Sequence, residues 1–316
     1  MKNSTIIIGG PTASGKTALA IKLVKNLEVE GQQVEIINAD SVQMYNELKI
    51  LTAYPSDEEL SQVKHNLFGV LAPNESSSVA SWLEIAKTEL TRIHSEGKTA
   101  IICGGTGFYI KALLDGVANI PTIPEKVREE VKRYFDKVGR DVFFEKLAEL
   151  DAESAANLHK NDTQRILRAY EVAFYTGKTL SEWWKNANES CENNAMLTIV
   201  LLPEKEKLRE RAKIRIHSML EKGAIEEVQA FNAKYPNYVG SLQEVIGYRE
   251  ICDFIQQKNA KTINELVEKI SIRTNQYIKR QSTWFRNQLK NAKFIGDFGD
   301  NCAINEIIEY IKQIEK

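Results

Sequence analysis

Short apolar runs alternate with amphipathic stretches over the first third of the chain. Three runs of mostly β-branched and aliphatic residues, Thr5–Ile8, Val34–Ile37 and Thr99–Cys103, have the length and composition of buried strands. Between them, apolar residues recur at spacings of three and four over Thr17–Leu27 and Val79–Ile93, which predicts two amphipathic helices. This β-α-β-α order predicts the α/β class, with a mostly parallel sheet covered by helices.

The pattern changes at Ile120–Pro124, where two prolines in four residues mark a linker. Residues 125 to about 190 then have the pattern of helices, and the polar stretch Asn186–Asn194 marks a second linker. Leu197–Leu202 returns as a strand before a final run of helices. We therefore predict an α/β core interrupted by a helical insertion domain: a first core segment at 1–120, the insertion at 121–195, and the return strand with C-terminal helices at 196–316.

The turn after the first predicted strand matches the motif G-x-x-x-x-G-K-[ST], between a strand and a helix as that motif requires. Glycines let backbone N–H groups surround a diphosphate, and the following helix N-terminus favours anions. Lys16 would neutralise phosphate oxygens, and the Thr17 hydroxyl would hold Mg²⁺. The motif predicts a P-loop NTPase-like core that binds a di- or triphosphate without identifying the reaction; its residues are Gly10, Pro11, Thr12, Ala13, Ser14, Gly15, Lys16 and Thr17.

Polar residues that follow the other two predicted strands are candidates for the same site, because ligands of parallel sheets bind at the carboxyl ends of strands. Asp40 follows Val34–Ile37 and is compatible with three roles: a magnesium carboxylate, a general base or a helix cap. Thr106 follows a Gly-Gly pair and either places a hydroxyl near the site or belongs to an ordinary strand-to-helix turn. The residues alone leave these alternatives open.

A local basic stretch stands out against a near-neutral total. The formal net charge is -1, so a nucleic-acid partner would need such a patch. Between Lys269 and Lys293 there are seven basic residues and no acidic ones, and a helix would place Arg273 and Arg280 on one side. The alternative is a solvated charged face over a core stripe. The same stretch carries aromatic candidates for stacking on unpaired bases: Tyr277, Trp284 and Phe285.

Composition excludes several classes of protein. No apolar run approaches the ~18 residues that a membrane-spanning helix needs, so we expect no membrane partner. The four cysteines stand singly, which argues against a disulfide framework or a four-cysteine zinc site and favours a reducing, cytoplasmic environment. We expect a monomeric cytoplasmic protein.

Six separated blocks of the chain carry a resemblance to one protein family: GPTASGKTALA (10–20), NADSVQMY (38–45), GGTGFYIKALLDG (104–116), NDTQRILRAYEVAFYTGKTLSE (161–182), GYREI (247–251) and RTNQYIKRQSTWFR (273–286). They resemble the tRNA dimethylallyltransferase family, also called the IPP transferase family, and they follow the family's order. The resemblance implies a P-loop core with a helical insertion. It also implies transfer of a dimethylallyl group from dimethylallyl diphosphate to N6 of adenosine 37, in the anticodon loop of tRNA, with Mg²⁺ as cofactor.

The resemblance also implies roles for individual residues. It assigns Lys16 and Thr17 to the leaving diphosphate, and Asp40 to the general base that takes a proton from the exocyclic amine. Arg211 and Arg215 resemble an arginine-rich segment near the diphosphate, without indicating which of the two is functional. Contacts with tRNA, including the flipped adenosine, are implied for Asp40, Ser41, Val42, Gln43, Thr106, Arg128, Gln164, Arg165, Ile166, Leu167 and Arg168.

The chain departs from the family pattern at Leu51 and Tyr54, where the family usually has glycine and lysine. Two other activities use similar parts: an adenylate dimethylallyltransferase acting on free AMP, ADP or ATP, and a P-loop small-molecule kinase using ATP. A non-catalytic nucleotide-binding module that recognises RNA is a further alternative. The basic stretch favours a tRNA acceptor over a free nucleotide, and a kinase leaves the six separated blocks unexplained.

Overall fold

The computed structural model describes residues 4–185, 196–258, 261–299 and 303–314. The chain divides into two compact units: a first unit of Met1–Leu114 with Asn193–Lys316, and a second unit of Asp115–Glu192. The second linker predicted from sequence, Asn186–Asn194, lies outside the described residues. The predicted insertion began at residue 121, whereas the second unit begins at Asp115.

A six-stranded parallel sheet forms the centre of the first unit, in the order β3-β2-β4-β1-β5-β6. The four inner strands are almost entirely buried, which explains their continuous apolar runs, because a parallel sheet covered on both faces has no polar side. The strands are β1 (Thr5–Gly9), β2 (Val34–Asn38), β3 (His65–Asn66), β4 (Thr99–Gly104), β5 (Met196–Leu201) and β6 (Lys293–Ile295).

The predicted α/β class and P-loop core are confirmed, while two short edge strands were not predicted. β3 has two polar residues and β6 has three residues, one of them a lysine, so neither has the apolar run of a buried strand. Four helices precede the second unit in the chain. They are α1 (Lys16–Val29), α2 (Asp57–Gln62), α3 (Val79–Ser95) and α4 (Gly107–Asp115).

The second unit is helical and has its own core. Phe143, Leu147 and Ile166 are fully buried there, with partly buried aromatic side chains packed around them. Gly177 ends one of its helices in the left-handed conformation, which glycine adopts without strain. The helices of this unit are α5 (Glu125–Val138), α6 (Arg140–Leu150), α7 (Ala152–Asn157), α8 (Thr163–Thr176) and α9 (Leu180–Lys185).

Helices after β5 complete the first unit. The 26-residue helix α13 packs along α10, and α14 packs on α1 through the buried residues Ile307 and Ile311. Among the helices that the structure describes, none is long and apolar enough to span a membrane. These helices are α10 (Lys205–Glu221), α11 (Ala224–Lys234), α12 (Tyr248–Ile255), α13 (Ile263–Gln288) and α14 (Ala303–Ile314).

Candidate active site

The P-loop connects β1 to α1 at the carboxyl end of a central strand. Gly15 precedes the first helical residue with φ +86°, a left-handed conformation that a side chain would strain. The loop closes on itself through a hydrogen bond from the Ser14 N–H to the Pro11 carbonyl (3.3 Å). Gly15 and the first turn of α1 line a cleft, so the helix dipole favours a negatively charged group there.

Lys16 and Thr17 are the first two residues of α1, and both line the cleft. The Lys16 ammonium donates to the Pro11 carbonyl at 2.8 Å, which holds it against the loop. Burial lowers the pKa of Lys16, and the neighbouring charge of Asp40 opposes that shift. A partly desolvated ammonium of this kind favours an anionic ligand, because the ligand's charge replaces lost hydration.

Asp40 lies two residues beyond the end of β2 and lines the same cleft. Its N–H donates to Asn38 Oδ1 (2.8 Å), and its own Oδ1 accepts from the Val42 N–H (3.2 Å). The helix-cap alternative is wrong, since the next helix along the chain begins at Asp57. A general base and a magnesium carboxylate remain as roles for this side chain.

The charge state of Asp40 is set by opposing influences. Burial raises the pKa of Asp40, while the positive charges of Lys16 and Arg215 oppose that rise. The N–H groups of Val42 and Gly105 act in the same direction as the cations. Burial also lowers the pKa of Arg215. A carboxylate with a raised pKa, stabilised by nearby cations, is suited to accept a proton during a reaction.

The segment after Asp40 is fixed by hydrogen bonds to two other loops. The Ser41 N–H donates to Thr106 Oγ1 (3.0 Å), so the Thr106 hydroxyl crosslinks the turns that follow β2 and β4. The Gln43 amide donates to the carbonyls of Thr52 (3.2 Å) and Ala53 (2.8 Å). Sequence therefore predicted the proximity of Asp40 and Thr106, and the contacts give Thr106 at least a structural role.

The two departures from the family pattern lie in this loop region. Leu51 is buried. Its side chain lies so close to Gly247 that a Cβ added to Gly247 would come within 2.7 Å of Leu51. Tyr54 packs edge-on against Phe68, and the Lys49 ammonium lies 5.0 Å from the centre of its ring. Leu51 is thus a core residue, and an aromatic contact takes the place of the lysine at position 54.

The structure distinguishes the two candidate arginines of α10. Arg215 donates from Nη2 to the Thr12 hydroxyl of the P-loop at 2.5 Å, and the Arg215 Nε is buried without a partner among the described residues. Arg211 lies one helical turn earlier, with its guanidinium 4.8 Å from the centre of the Phe298 ring. Both line the cleft, and Arg215 is bonded to the P-loop.

Helix α13 contributes to the cleft through a side chain that the sequence did not single out. Gln281 is 6% exposed. It accepts from the Thr12 N–H (2.9 Å) and donates to the Gly105 carbonyl (2.9 Å). The sequence feature that could have identified Gln281 is a polar residue at a core position of an amphipathic helix. It lies between the buried residues Ile278 and Phe285.

The basic residues of α13 are placed partly as predicted. Arg273 and Arg280 both line the cleft, but Arg273 is paired with Glu250 at 2.9 Å. Arg280 lies over the ring of Tyr277, with 5.6 Å to its centre. The suggestion that Phe285 stacks on bases is wrong, because its side chain is fully buried in the core.

These elements enclose a cleft of about 770 Å³. One part of its lining is cationic and polar, from the P-loop and α10. Another part is apolar and includes Val42, Ile214, Met219 and Val245. The cleft therefore offers both a site for phosphate groups and a nonpolar surface for a hydrocarbon group.

The remaining predicted tRNA-contacting residues lie in the second unit. Arg128 is on α5, where Glu125 Oε2 lies 3.6 Å from its guanidinium. Ile166 is 0% exposed and belongs to the core of this unit, so its side chain is not available to RNA. Its neighbours on α8 are exposed or half-buried: Gln164, Arg165, Leu167 and Arg168.

The cleft provides oxygen donors suited to Mg²⁺. The Thr17 hydroxyl and the Asp40 carboxylate both line it, and Mg²⁺ in phosphate sites takes one or two protein oxygens with substrate phosphates and water. In the part of the chain that the structure describes, no group of three or more His, Cys, Asp or Glu residues forms a metal cage. The donor set therefore fits a magnesium ion that binds together with a phosphate ligand.

Comparison with known proteins identifies the family. The family model described as "IPP transferase" matches residues 43–288. A tRNA dimethylallyltransferase of Pelagibacter ubique is 38% identical over 288 residues, covering 91% of this chain and 90% of that protein. One from a Caulobacter species is 39% identical over 283 residues, covering 90% of this chain and 89% of that protein.

Solved structures agree with this result. The crystal structure of a tRNA isopentenylpyrophosphate transferase from Bacillus halodurans has a TM-score of 0.68 at 30% identity, covering 99% of this chain and 96% of that chain. A eukaryotic dimethylallyltransferase acting on tRNA has a TM-score of 0.81 at 24% identity, covering 98% of this chain and 78% of that chain. This likeness shows the shared fold alone. The chain belongs to the IPP transferase family, the family of the tRNA dimethylallyltransferases.

Proposed function

We propose that this protein transfers a dimethylallyl group from dimethylallyl diphosphate to N6 of adenosine 37 in tRNA. The observation that carries the proposal is one cleft in which a P-loop, the half-buried cations Lys16 and Arg215, and the half-buried carboxylate of Asp40 meet. A phosphate-binding half beside a proton-accepting group is what prenyl transfer to an amine requires.

The diphosphate binds at the P-loop. Backbone N–H groups at the start of α1, with Lys16 and Arg215, neutralise the negative charge that grows on the diphosphate as it departs. Mg²⁺ held by Thr17 and the diphosphate would supply further positive charge to the leaving group. The apolar lining of the cleft accepts the five-carbon group.

The transfer exchanges one bond for another. The bond between C1 of the dimethylallyl group and the diphosphate oxygen breaks, and the diphosphate leaves with the electron pair. A new bond forms between C1 and N6 of the adenine, and one N6 proton passes to Asp40. Alignment of the two reactants lowers the barrier by as much as ~7–11 kcal/mol in favourable cases, and a general base adds ~10²–10⁴-fold in rate.

The tRNA reaches the cleft with its target base unstacked, because an adenine inside the anticodon-loop stack cannot approach Asp40. Ser41, Val42, Gln43 and Thr106 border the base, and Arg273 and Arg280 contact the RNA backbone. The second unit adds contacts from Arg128, Gln164, Arg165, Leu167 and Arg168. We propose that the protein acts as a monomer in the cytoplasm, where unmodified tRNA is available.

The test is a transfer assay with labelled dimethylallyl diphosphate, Mg²⁺ and four acceptors: unmodified tRNA, the same tRNA with guanosine at position 37, AMP and ATP. Label in the unmodified tRNA alone supports the proposal. Label in AMP or ATP alone identifies an adenylate dimethylallyltransferase. Hydrolysis or transfer of the ATP γ-phosphate without prenyl transfer identifies a P-loop phosphotransferase.

A further inference from the structure

Gln281 is a buried polar residue on the core side of α13 that joins two loops of the cleft. Its Oε1 accepts from the Thr12 N–H and its Nε2 donates to the Gly105 carbonyl, both at 2.9 Å. The two partners lie on the P-loop and on the turn after β4. An amide is required here, because the site needs one donor and one acceptor at the end of the same side chain.

The two loops carry different parts of the site. Thr12 is also bonded through its hydroxyl to Arg215, so the P-loop end of this connection reaches an arginine of the cleft. Gly105 lies against Asp40 at the other end: a Cβ at Gly105 would come 3.3 Å from Asp40 Oδ2 and 2.8 Å from Gln281 Nε2. Glycine allows this approach, because the carboxylate and the amide both lie beside the position that a Cβ would take.

We infer that Gln281 is a positioning residue for the transfer reaction, and that it fixes the distance between the diphosphate loop and Asp40. This inference rests on the proposed function. The side chain holds the Thr12 and Gly105 backbone groups in one geometry, so the leaving group and the proton acceptor stay aligned with the bond that forms. Gln281 uses both of its polar atoms in this connection and needs no contact with either substrate.

The test compares Gln281→Met with Gln288→Met in the tRNA transfer assay. Methionine has nearly the length of glutamine but makes neither hydrogen bond, and Gln288 is an exposed residue at the end of the same helix. We expect kcat of Gln281→Met to fall about 10- to 100-fold, as for loss of buried hydrogen bonds and of alignment. KM for dimethylallyl diphosphate and Kd for tRNA should change less than about threefold, because each binding surface remains. Gln288→Met should match the wild type.

A second variant, Gln281→Glu, tests the same inference if Gln281→Met does not fold. It keeps an acceptor for the Thr12 N–H but places an oxygen against the Gly105 carbonyl, so it should also lose kcat with KM retained. Both variants are assayed at a temperature where circular dichroism shows them folded.

Three results would overturn the inference. They are an unchanged kcat in the folded variants, a raised KM with kcat retained, and unfolding of both variants, which would mark Gln281 as a purely structural residue. A wild-type protein that transfers no dimethylallyl group to tRNA would instead overturn the proposed function. The wild-type control in the same assay therefore separates the two failures.

Discussion

Asp40 is a carboxylate whose properties depend on residues from three separate parts of the chain. The P-loop supplies Lys16, the turn after β4 supplies the Gly105 N–H, and α10 supplies Arg215. Burial raises the pKa of Asp40, and these neighbours oppose that rise, so the carboxylate is a stronger base than an exposed aspartate. Its protonation should therefore control the reaction at a pH above the usual range of aspartate.

Substitution of Asp40 by asparagine should lower kcat by about 10²–10⁴-fold, the usual contribution of a general base, with tRNA affinity changed only a few-fold. The wild-type kcat should fall on the acid side at a pH above the ordinary aspartate value of about 3.9, because burial favours the protonated form. A pH series of single-turnover rates measures both effects. Asp57→Asn, at an exposed position on α2, is the control. Equal losses of rate and of tRNA binding in Asp40→Asn would contradict the base role.

Arg215 and Arg211 should differ in their effect on the diphosphate substrate. Arg215→Ala removes the side chain bonded to Thr12, and we expect KM for dimethylallyl diphosphate to rise about 10- to 100-fold, as for loss of a charge-assisted hydrogen bond. Arg211→Ala should have a smaller effect, since its guanidinium lies over Phe298. Steady-state kinetics of the two variants measure KM for dimethylallyl diphosphate. A larger rise in Arg211→Ala would mark Arg211 as the arginine that binds the diphosphate.

Sequence predicts single residues best where a motif is local. The P-loop and Asp40 come just after short apolar strands in the chain. The strand pattern therefore identified them as residues of the cleft. Gln281 was missed because its partners are 269 and 176 positions away in the chain, and no local pattern indicates such contacts. Ile166 shows the converse, since its place within a family block says nothing about which way the side chain points.

At the scale of elements, a buried carboxylate links β2 to its surroundings. The Glu35 side chain is 3% exposed and is bonded to Arg92 and Lys98, while Lys64 lies 3.2 Å from it and is 58% exposed. Asn66 of the short strand β3 donates to the same carboxylate at 3.1 Å. This network fixes the edge of the sheet, and none of its side chains is among the residues that line the cleft.

Glu35→Gln should lower the free energy of unfolding by about 1–2 kcal/mol at neutral pH, a modest value because the cationic partners stay partly solvated. The hydrogen bonds to Arg92 and Lys98 outweigh the effect of burial and hold the pKa of Glu35 well below its usual range. The stabilisation is therefore fully present above the unfolded pKa of about 4.3 and is lost as pH falls below it. Urea unfolding at pH 7 and pH 3 measures this. Exposed Glu84→Gln is the control, and a loss that persists undiminished at pH 3 would refute the account.

Elements with long apolar periodicity were predicted to within a few residues, whereas the edge strands were not. The predicted helix Val79–Ile93 is observed as Val79–Ser95, and the predicted strand Leu197–Leu202 as Met196–Leu201. The edge strand β3 forms by backbone pairing with Ile36 and Ile37 of β2, and the Asn66 side chain adds bonds to Glu35 and to the Ile36 carbonyl; these are tertiary interactions. Periodicity within a segment cannot report an interaction of that kind.

At the scale of the whole molecule, the net charge is only -1, but several lysine and arginine side chains line the cleft. Arg280 should contribute more to RNA binding than Arg273, because Glu250 offsets the charge of Arg273. A plot of the logarithm of the tRNA binding constant against the logarithm of salt concentration should become less steep by about 0.7–1 in Arg280→Ala. The slope should change by less in Arg273→Ala. Filter binding between 50 and 300 mM salt, with exposed Lys25→Ala as the control, checks the order. Unchanged slopes for both variants would indicate a merely solvated face.

The sheet order has a consequence for synthesis on the ribosome. β1 lies between β4 and β5, and β5 begins about 190 residues after β1 in the chain. At 5–20 residues per second, the first strand waits about 10–40 s for its second neighbour. The second unit has its own core and emerges before β5. We therefore expect it to resist protease on ribosome-bound chains in which 115–192 has left the exit tunnel and β5 has not, while 5–38 is still cleaved. The first part of the site to be translated is thus the last to become stable, and the nascent P-loop depends on the later half of the protein.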